Sequence, residues 1–149
     1  LLIRNISMKT SARNHFAGTV TRVVHGAVND EVEIEVRPGL CIVATVTHES
    51  AEGLGLAVGA QAFALVKASS IVVVTEAEGA HFSARNRLDG TVARIAAGAV
   101  NDEVVIDVAE GVSIAAIITH ASSEALGLAV GARATAIFKA SSVIVGAPA

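Results

Sequence analysis

Short stretches of β-branched residues alternate with polar turns along the whole chain, a pattern typical of an all-β protein. The clearest stretch places Val32, Ile34 and Val36 on one face of a strand and three glutamates on the other, so one side of that strand faces solvent. The Pro38 and Gly39 pair that follows predicts a turn. Three consecutive strands are therefore predicted, over residues 16–25, 30–37 and 40–47.

The spacing of apolar residues changes after this third strand. Ala51 and Leu54 lie at near-helical spacing, and Thr47 or Ser50 is placed to cap the first turn, so we predict a short helix over 48–56. Two more strands follow the helix, over residues 61–67 and 71–75. Three strands, a helix and two strands form the element order of the OB-fold, a five-stranded Greek-key barrel.

This arrangement occurs twice in the chain. Pairing each residue with the one 72 positions later needs no gap over residues 11–74, and about 38 of those 64 pairs are identical. We therefore predict an all-β protein with one short helix per domain, built from two tandem domains over 8–75 and 82–149. A polar linker over 76–81 joins them, and residues 1–7 are read as an upstream or artificially added segment.

Composition and charge argue against several classes of protein. The net charge of -3 disfavours a nucleic-acid surface, and no apolar run approaches the ~20 residues that a membrane span needs. The single cysteine, Cys41, excludes an intrachain disulfide, and we expect it to be a small buried residue rather than a nucleophile. No spacing of nucleophile and base suggests an enzyme. A reducing cytosol fits these observations best.

Many of the identical positions carry hydrogen-bond donors. Each copy has an SARN motif, a Thr-x-x-Ser pair before LGL, and Lys-Ala-Ser-Ser before its last strand. Arginine offers a planar fork of N–H groups to oxygen atoms, lysine offers a compact charge, and the hydroxyls add further donors. Acidic residues are scarce in these segments, so the combination suits a tetrahedral oxyanion.

Together with GAVNDEV, which lies between them, these motifs resemble the Mop, or TOBE-type, domain of the molbindins. The resemblance covers nearly the whole chain after Met8, in two copies, as in the di-domain members of that family. It implies OB-like domains that bind molybdate, with tungstate as a second candidate, without chemical change and for storage and buffering of molybdenum in the cytoplasm. It also implies a homotrimer that holds the oxyanions at interfaces between domains.

The resemblance assigns ligand roles to the SARN motif, to the Thr-x-x-Ser pair and to the Lys-Ala step. These roles carry over to Ser11, Ala12, Arg13, Thr47, Ser50, Lys67 and Ala68, and to Ser83, Ala84, Arg85, Thr119, Ser122, Lys139 and Ala140. The family also has sites on the threefold axis, for which the GAVN loops provide the candidates Ala27, Val28, Asn29, Ala99, Val100 and Asn101.

The sequence departs from the family in two respects. Many relatives carry Pro and Trp after the Lys-Ala step, whereas this chain has Ser69 and Ser70, with Ser141 and Ser142 in the second copy. The larger members add a helix-turn-helix or a P-loop, neither of which is present between residues 1 and 149. We therefore expect a stand-alone binding protein.

Other interpretations of the repeated residues stay open. Gly26 and Asn29 suit positions with positive φ, so GAVNDEV could recur for its turn alone. His48 and His120 occupy equivalent places, but without local His, Cys or carboxylate partners we predict no cation site, and the unmatched His25 is expected to be exposed. An OB-fold that binds nucleic acid is the alternative function, although aromatic platforms are few. A purely structural assembly module is a further alternative.

Overall fold

The computed structural model of the chain describes residues 8–148, so the segment 1–7 lies outside the described residues. The described chain forms two compact units. Unit 1 combines the residues up to Val66 with those from Lys139 onward, and unit 2 spans Lys67 to Phe138. Each unit contains five strands, one α-helix and one short 3₁₀ helix.

The elements follow the order that the sequence predicts within each repeat. The first repeat contains β1 (Asn14–Val24), β2 (Asn29–Arg37), β3 (Leu40–Thr47), α1 (His48–Gly53), β4 (Gln61–Val66), a 3₁₀ helix (Ala68–Ser70) and β5 (Val72–Val74). The second repeat contains β6 (Asn86–Ala96), β7 (Asn101–Ala109), β8 (Val112–Thr119), α2 (His120–Ala125), β9 (Arg133–Phe138), a 3₁₀ helix (Ala140–Ser142) and β10 (Val143–Gly146).

Each unit is one antiparallel sheet that curls on itself. The strand order is β10-β4-β1-β2-β3 in unit 1 and β5-β9-β6-β7-β8 in unit 2. The edge strands also approach each other, β10 against β3 and β5 against β8, as in a small barrel. The predicted fold class, two OB-like five-stranded units with one short helix each, is confirmed.

The sheets do not follow the repeat boundaries of the sequence. We predicted residues 71–75 as the last strand of the first domain, but β5 pairs with β9 in unit 2, and β10 pairs with β4 in unit 1. Both strands are short, β-branched and preceded by the same Lys-Ala-Ser-Ser segment, so their sequences do not specify which sheet each one joins. The final strand of each sheet therefore comes from the other repeat.

Element boundaries agree closely with the sequence pattern, with two differences. The helix α1 ends at Gly53 rather than at residue 56, because Gly55 takes a positive φ of 65° and its N–H donates to the carbonyl of Glu52. The Ala-Ser-Ser stretches, which fall between the predicted strands, form 3₁₀ helices, in which the Ser70 N–H donates to the carbonyl of Lys67. Within residues 8–148 no helix is long and apolar enough to cross a lipid bilayer.

The predicted linker packs against the sheet of unit 2. The guanidinium of Arg87 donates to the backbone carbonyls of Ala80 at 2.6 Å and of Ala77 at 3.0 Å. The side chain of Ala77 is buried, and Glu76 next to it takes a positive φ of 54°. This segment is therefore a fixed part of unit 2.

The longest strand of each unit, β1 in unit 1 and β6 in unit 2, changes partner half-way along its length. In unit 1, β1 pairs with β4 over its first six residues and with β2 from Thr19 onward, with a bulge between Val20 and Arg22. At the crossover the backbone of β2 passes so close that a Cβ on Gly18 would overlap the carbonyl oxygen of Glu35. Gly90 meets Asp107 in the same way in unit 2, which explains why GTV recurs.

We expect Gly18→Ala to lower the free energy of unfolding by about 1–3 kcal/mol, because the added methyl group has no space beside the Glu35 carbonyl. Gly53→Ala is the matched control, since nothing lies within 4 Å of a Cβ there and the second repeat already carries Ala125. Urea unfolding followed by circular dichroism measures both variants. Equal stability of the two variants would contradict the close approach.

Candidate functional site

The SARN motifs stand immediately before the longest strand of each unit, β1 or β6. Asn14 is the first residue of β1 and is buried, and its side-chain amide donates to the backbone carbonyl of Val66 at 3.2 Å. This bond fixes the start of β1 against the end of β4, with the exposed Arg13 directly before it. Asn86 is buried in the same way and pairs with Phe138. The asparagine thus positions the arginine.

The Lys-Ala-Ser-Ser segments lie at the same end of each sheet as a SARN motif. In unit 1, Val143 pairs with Val66, and Val66 pairs with Asn14 on its other side. The segment 139–142, which leads into Val143, therefore lies at the end of the sheet where SARN begins. We call this the SARN end.

Unit 2 repeats the arrangement with the segments exchanged. Asn86 pairs with Phe138 and Val72 pairs with Ile137, so residues 67–70 lie at the end where Arg85 precedes β6. Lys67 and Lys139 are exposed, whereas the alanines that follow them are buried. Each unit therefore combines a SARN motif from one repeat with a Lys-Ala-Ser-Ser segment from the other.

The Thr-x-x-Ser pairs lie at the opposite end, beside the GAVN loops. Thr47 pairs with Asn29 at the end of β3, and the His48 N–H donates to the carbonyl of Val28 at 2.9 Å. The Thr47 hydroxyl caps α1 by accepting the Ser50 N–H at 3.1 Å, and it donates to the Ser50 Oγ at 2.7 Å. That geometry leaves the exposed Ser50 hydroxyl proton to donate elsewhere. We call this the GAVN end.

The two ends of a unit are far apart. The first strand, which connects them, contains 11 residues, and at about 3.3 Å per residue it spans on the order of 30 Å. Within one unit, the structure therefore brings Arg13 to the end that holds the Lys-Ala-Ser-Ser segment but does not bring it near Thr47 and Ser50. The resemblance predicted that all of these residues contribute to oxyanion sites, and a single unit contains no complete set.

A buried carboxylate beneath the GAVN loop was missed by the sequence analysis. Asp30 is 1% exposed, and its oxygens accept the Gly26 N–H at 3.2 Å and lie within 2.9 Å of His25 Nδ1 and 3.0 Å of His48 Nδ1. Asp30 has the same strand phase as the buried Val32, and this inward phase is the signal that could have identified it.

The expectation that His48 and His120 have no carboxylate partners is therefore wrong. His48 also places Nε2 at 2.7 Å from Glu52 Oε1, one helical turn further on. In unit 2, His120 Nδ1 lies 2.9 Å from Asp102, and its Nε2 lies 2.8 Å from Glu124. The unmatched His25 is largely exposed, as expected, but it contacts Asp30.

The histidine and aspartate pKa values move in opposite directions. The hydrogen bond to Asp102 raises the pKa of His120, and Asp30 has the same effect on the pKa of His48. The Gly98 N–H is the main cause that lowers the pKa of Asp102. Burial raises the pKa of Asp30, but hydrogen bonds from two histidines and Gly26 outweigh it and lower the pKa overall.

The GAVN loop is tight, but not for the reason that the sequence suggested. Neither Gly26 nor Asn29 is among the described residues with positive φ. A Cβ on Gly26 would instead overlap the carbonyl oxygen of Asn29, and Gly98 meets Asn101 in the same way. A structural reason for the repetition of GAVNDEV therefore exists. The proposed axial candidates, Ala27 to Asn29 and Ala99 to Asn101, are exposed in both loops.

The TOBE domain family matches residues 10–73 and 83–145. The chain belongs to the TOBE domain family.

Several relatives of these TOBE domains carry molybdenum in their names. The chain is 47% identical over 144 residues to the molybdenum-pterin-binding protein MopA of Rhodobacter capsulatus, covering 97% of this chain and 54% of MopA. It is 48% identical over 143 residues to the molybdenum transport protein ModE of Azotobacter vinelandii, covering 96% of this chain and 53% of ModE. The chain thus spans about half the length of these relatives.

A solved structure resembles both TOBE domains together. The structure of the cytoplasmic molybdate-binding protein ModG with molybdate bound superposes with a TM-score of 0.91 at 47% identity. The match covers 95% of this chain and all of that chain.

Two features of the TOBE domains lie outside the predicted ligand set. Cys41 is half-buried rather than buried, and burial, together with Glu33 and Glu35, raises the pKa of its thiol to about 11, which disfavours the nucleophilic thiolate.

A cavity in unit 2 is lined by Arg87 and Asp89, among other residues. Their counterparts in the first domain are His15 and Ala17, so this cavity chemistry is not repeated.

The Asp102–His120 pair predicts a pH-dependent stability of the second TOBE domain. Because folding raises the pKa of His120, this side chain stabilises the fold fully below its ordinary pKa of 6.5, and the stabilisation is lost as the pH rises through the folded-state pKa. Because folding lowers the pKa of Asp102, this carboxylate stabilises the fold fully above 3.8, and the stabilisation is lost as the pH falls through the folded-state pKa. His120→Gln should therefore reduce the unfolding free energy most between these two values, and less at alkaline pH.

Urea unfolding of the parent protein and of His120→Gln at several pH values measures how the stability difference between them depends on pH. His81→Gln is the control, because His81 is an exposed histidine of the same unit. A His120→Gln effect that stays constant from acidic to alkaline pH would contradict the ion pair.

Proposed function

We propose that the chain binds molybdate, an oxyanion with two negative charges, and that it holds the ion without changing it chemically. The observation that carries the proposal is that one donor set, arginine, lysine and paired hydroxyls, is built twice at equivalent places in two units. The relatives MopA, ModE and ModG, which are named for molybdenum or molybdate, support the same ligand. Tungstate, which has the same shape and charge, is a second candidate.

The donors suit an anion because their charges are local. The chain carries a net charge of -3, so attraction depends on Arg13 with Lys139 at the SARN end of unit 1, and on Arg85 with Lys67 in unit 2. Each hydrogen bond to a charged group contributes roughly 1.5–3 kcal/mol. These contributions do not add to a total affinity, because removing water from the dianion and from the donors opposes them.

A complete cage requires donors from outside a single unit. The SARN end and the GAVN end of one unit are on the order of 30 Å apart, so we infer that the SARN end of one copy meets a Thr-x-x-Ser pair of another. Exposed valines support contact between copies: Val28 and Val100 are each 72% exposed, and Val58 and Val130 repeat this exposure. A homotrimer, as the resemblance implies, would provide such contacts.

We further propose storage and buffering of molybdenum in the cytoplasm as the use of this binding. The nucleic-acid alternative receives little support, because the net charge is negative and the chain has only four phenylalanines and neither Trp nor Tyr.

Discrimination of molybdate from sulfate rests on cavity size, since the two anions are alike in charge and shape. Phosphate differs from both because it retains a proton at neutral pH.

The experiment is a calorimetric titration of Arg13→Ala/Arg85→Ala with molybdate. Loss of the guanidinium from both SARN motifs should weaken binding about 10- to 100-fold, which corresponds to one charge-assisted hydrogen bond per site. The matched control is Arg22→Ala/Arg94→Ala, which removes two arginines at the same 72-residue spacing, both exposed.

Circular dichroism should show an unchanged fold in both double variants. Equal affinity of the SARN variant and the control would remove these arginines from the site. Absence of heat with the parent protein, together with no molybdenum retained after dialysis, would reject molybdate binding altogether.

A further inference from the structure

The first unit contains a cluster of metal-ligating groups that the second unit lacks. His25, Asp30 and His48 each offer one ligand atom, and these three atoms lie within 4.8 Å of one another. The Asp30 oxygen is the common corner, at 2.9 Å from the first imidazole nitrogen and 3.0 Å from the second. In the second repeat Ala97 replaces His25, while Asp102 and His120 keep their contact.

We propose that His25, Asp30 and His48 form a binding site for a divalent cation of the zinc class, separate from the oxyanion sites. Two imidazole nitrogens and one carboxylate oxygen are ligands that Zn²⁺ prefers, whereas Mg²⁺ prefers oxygen ligands alone.

Two of the three distances are close to the size of such an ion, and the third, at most 4.8 Å, requires the two imidazoles to move closer together. Ligand atoms of a tetrahedral Zn²⁺, bound at about 2.0–2.1 Å, lie roughly 3.3 Å apart. The two short separations at Asp30 are 2.9 Å and 3.0 Å, so each needs to open by only a few tenths of an ångström. The imidazole rings of His25 and His48 stand nearly perpendicular, with centroids 5.5 Å apart, so the rings do not stack on each other.

The surroundings already orient the ligands. The Gly26 N–H donates to the other carboxylate oxygen of Asp30, which leaves Oδ2 facing the two imidazoles. Glu52 Oε1 lies 2.7 Å from His48 Nε2, and a carboxylate on the far ring nitrogen is the partner that metal-binding histidines commonly have. The Asp30 carboxyl is buried, while the side chain of His25 is 63% exposed, so the ion would enter from solvent.

Binding would connect three elements of the GAVN end. His25 follows β1, Asp30 stands at the start of β2, and His48 begins α1. A cation held by all three would close the GAVN loop of the first unit onto the helix. The second unit would keep only the Asp102–His120 pair for this purpose.

The two repeats supply matched variants for the test. Chelator-treated protein is titrated calorimetrically with Zn²⁺ alone at about pH 7.5, where the metal displaces any protons on its ligands into the buffer. We expect one Zn²⁺ per chain in the parent, binding at least tenfold weaker in His25→Ala, and two Zn²⁺ per chain in Ala97→His. Mg²⁺ should give no comparable binding in any of these proteins.

His25→Ala should fold normally, because Ala97 stands at this place in unit 2 and the Gly98 N–H still donates to Asp102 at 3.0 Å. His81→Ala, which removes another exposed histidine, should keep one Zn²⁺ per chain. No Zn²⁺ uptake by the parent, or an unchanged zinc content in either His25→Ala or Ala97→His, overturns the assignment. Molybdate titration of the same variants reports separately on the oxyanion sites.

Discussion

Each unit depends on one long strand, β1 or β6, that pairs with two neighbouring strands. β1 pairs with β4 along its first half and with β2 along its second, and the absence of a side chain at Gly18 permits the crossover. The length of that strand fixes the distance between the two ends of the sheet. The arginine and the Lys-Ala-Ser-Ser segment therefore lie at the SARN end, and the Thr-x-x-Ser pair lies with the GAVN loop at the GAVN end. The requirement for donors from outside a single unit follows from this separation.

A buried carboxylate organises the GAVN end in both units. Asp30 and Asp102 accept the N–H of the loop glycine and contact the histidine that begins the helix. The loop, the end of the third strand and the hydroxyl pair are thereby held in one arrangement. The extra histidine at position 25 gives only the first unit a third metal-ligating group, which makes the two otherwise equivalent ends chemically different.

Much of the fold could be predicted because the spacing of apolar residues indicates which segments are strands or helices and which of their faces are buried. The bounds of β3 match the prediction, and Thr47 caps α1 as one of the two residues named for that role. The exchange of the last strands could not be predicted, because β5 and β10 are equally compatible with either sheet. The motifs identified the donor residues, but their placement at opposite ends became visible only through the strand pairing. The burial of Asp30 follows from its strand phase, which it shares with Val32, and the turn motif by itself does not indicate it.

The central claim is that the oxyanion cage is completed between copies of the chain. Native mass spectrometry of the full chain with excess molybdate tests it most directly, because it weighs single chains and assemblies in one spectrum. We expect molybdate adducts on assemblies of several chains, mainly a trimer, and none on the single chain. Single chains that carry as much molybdate per chain as the assembly would contradict it.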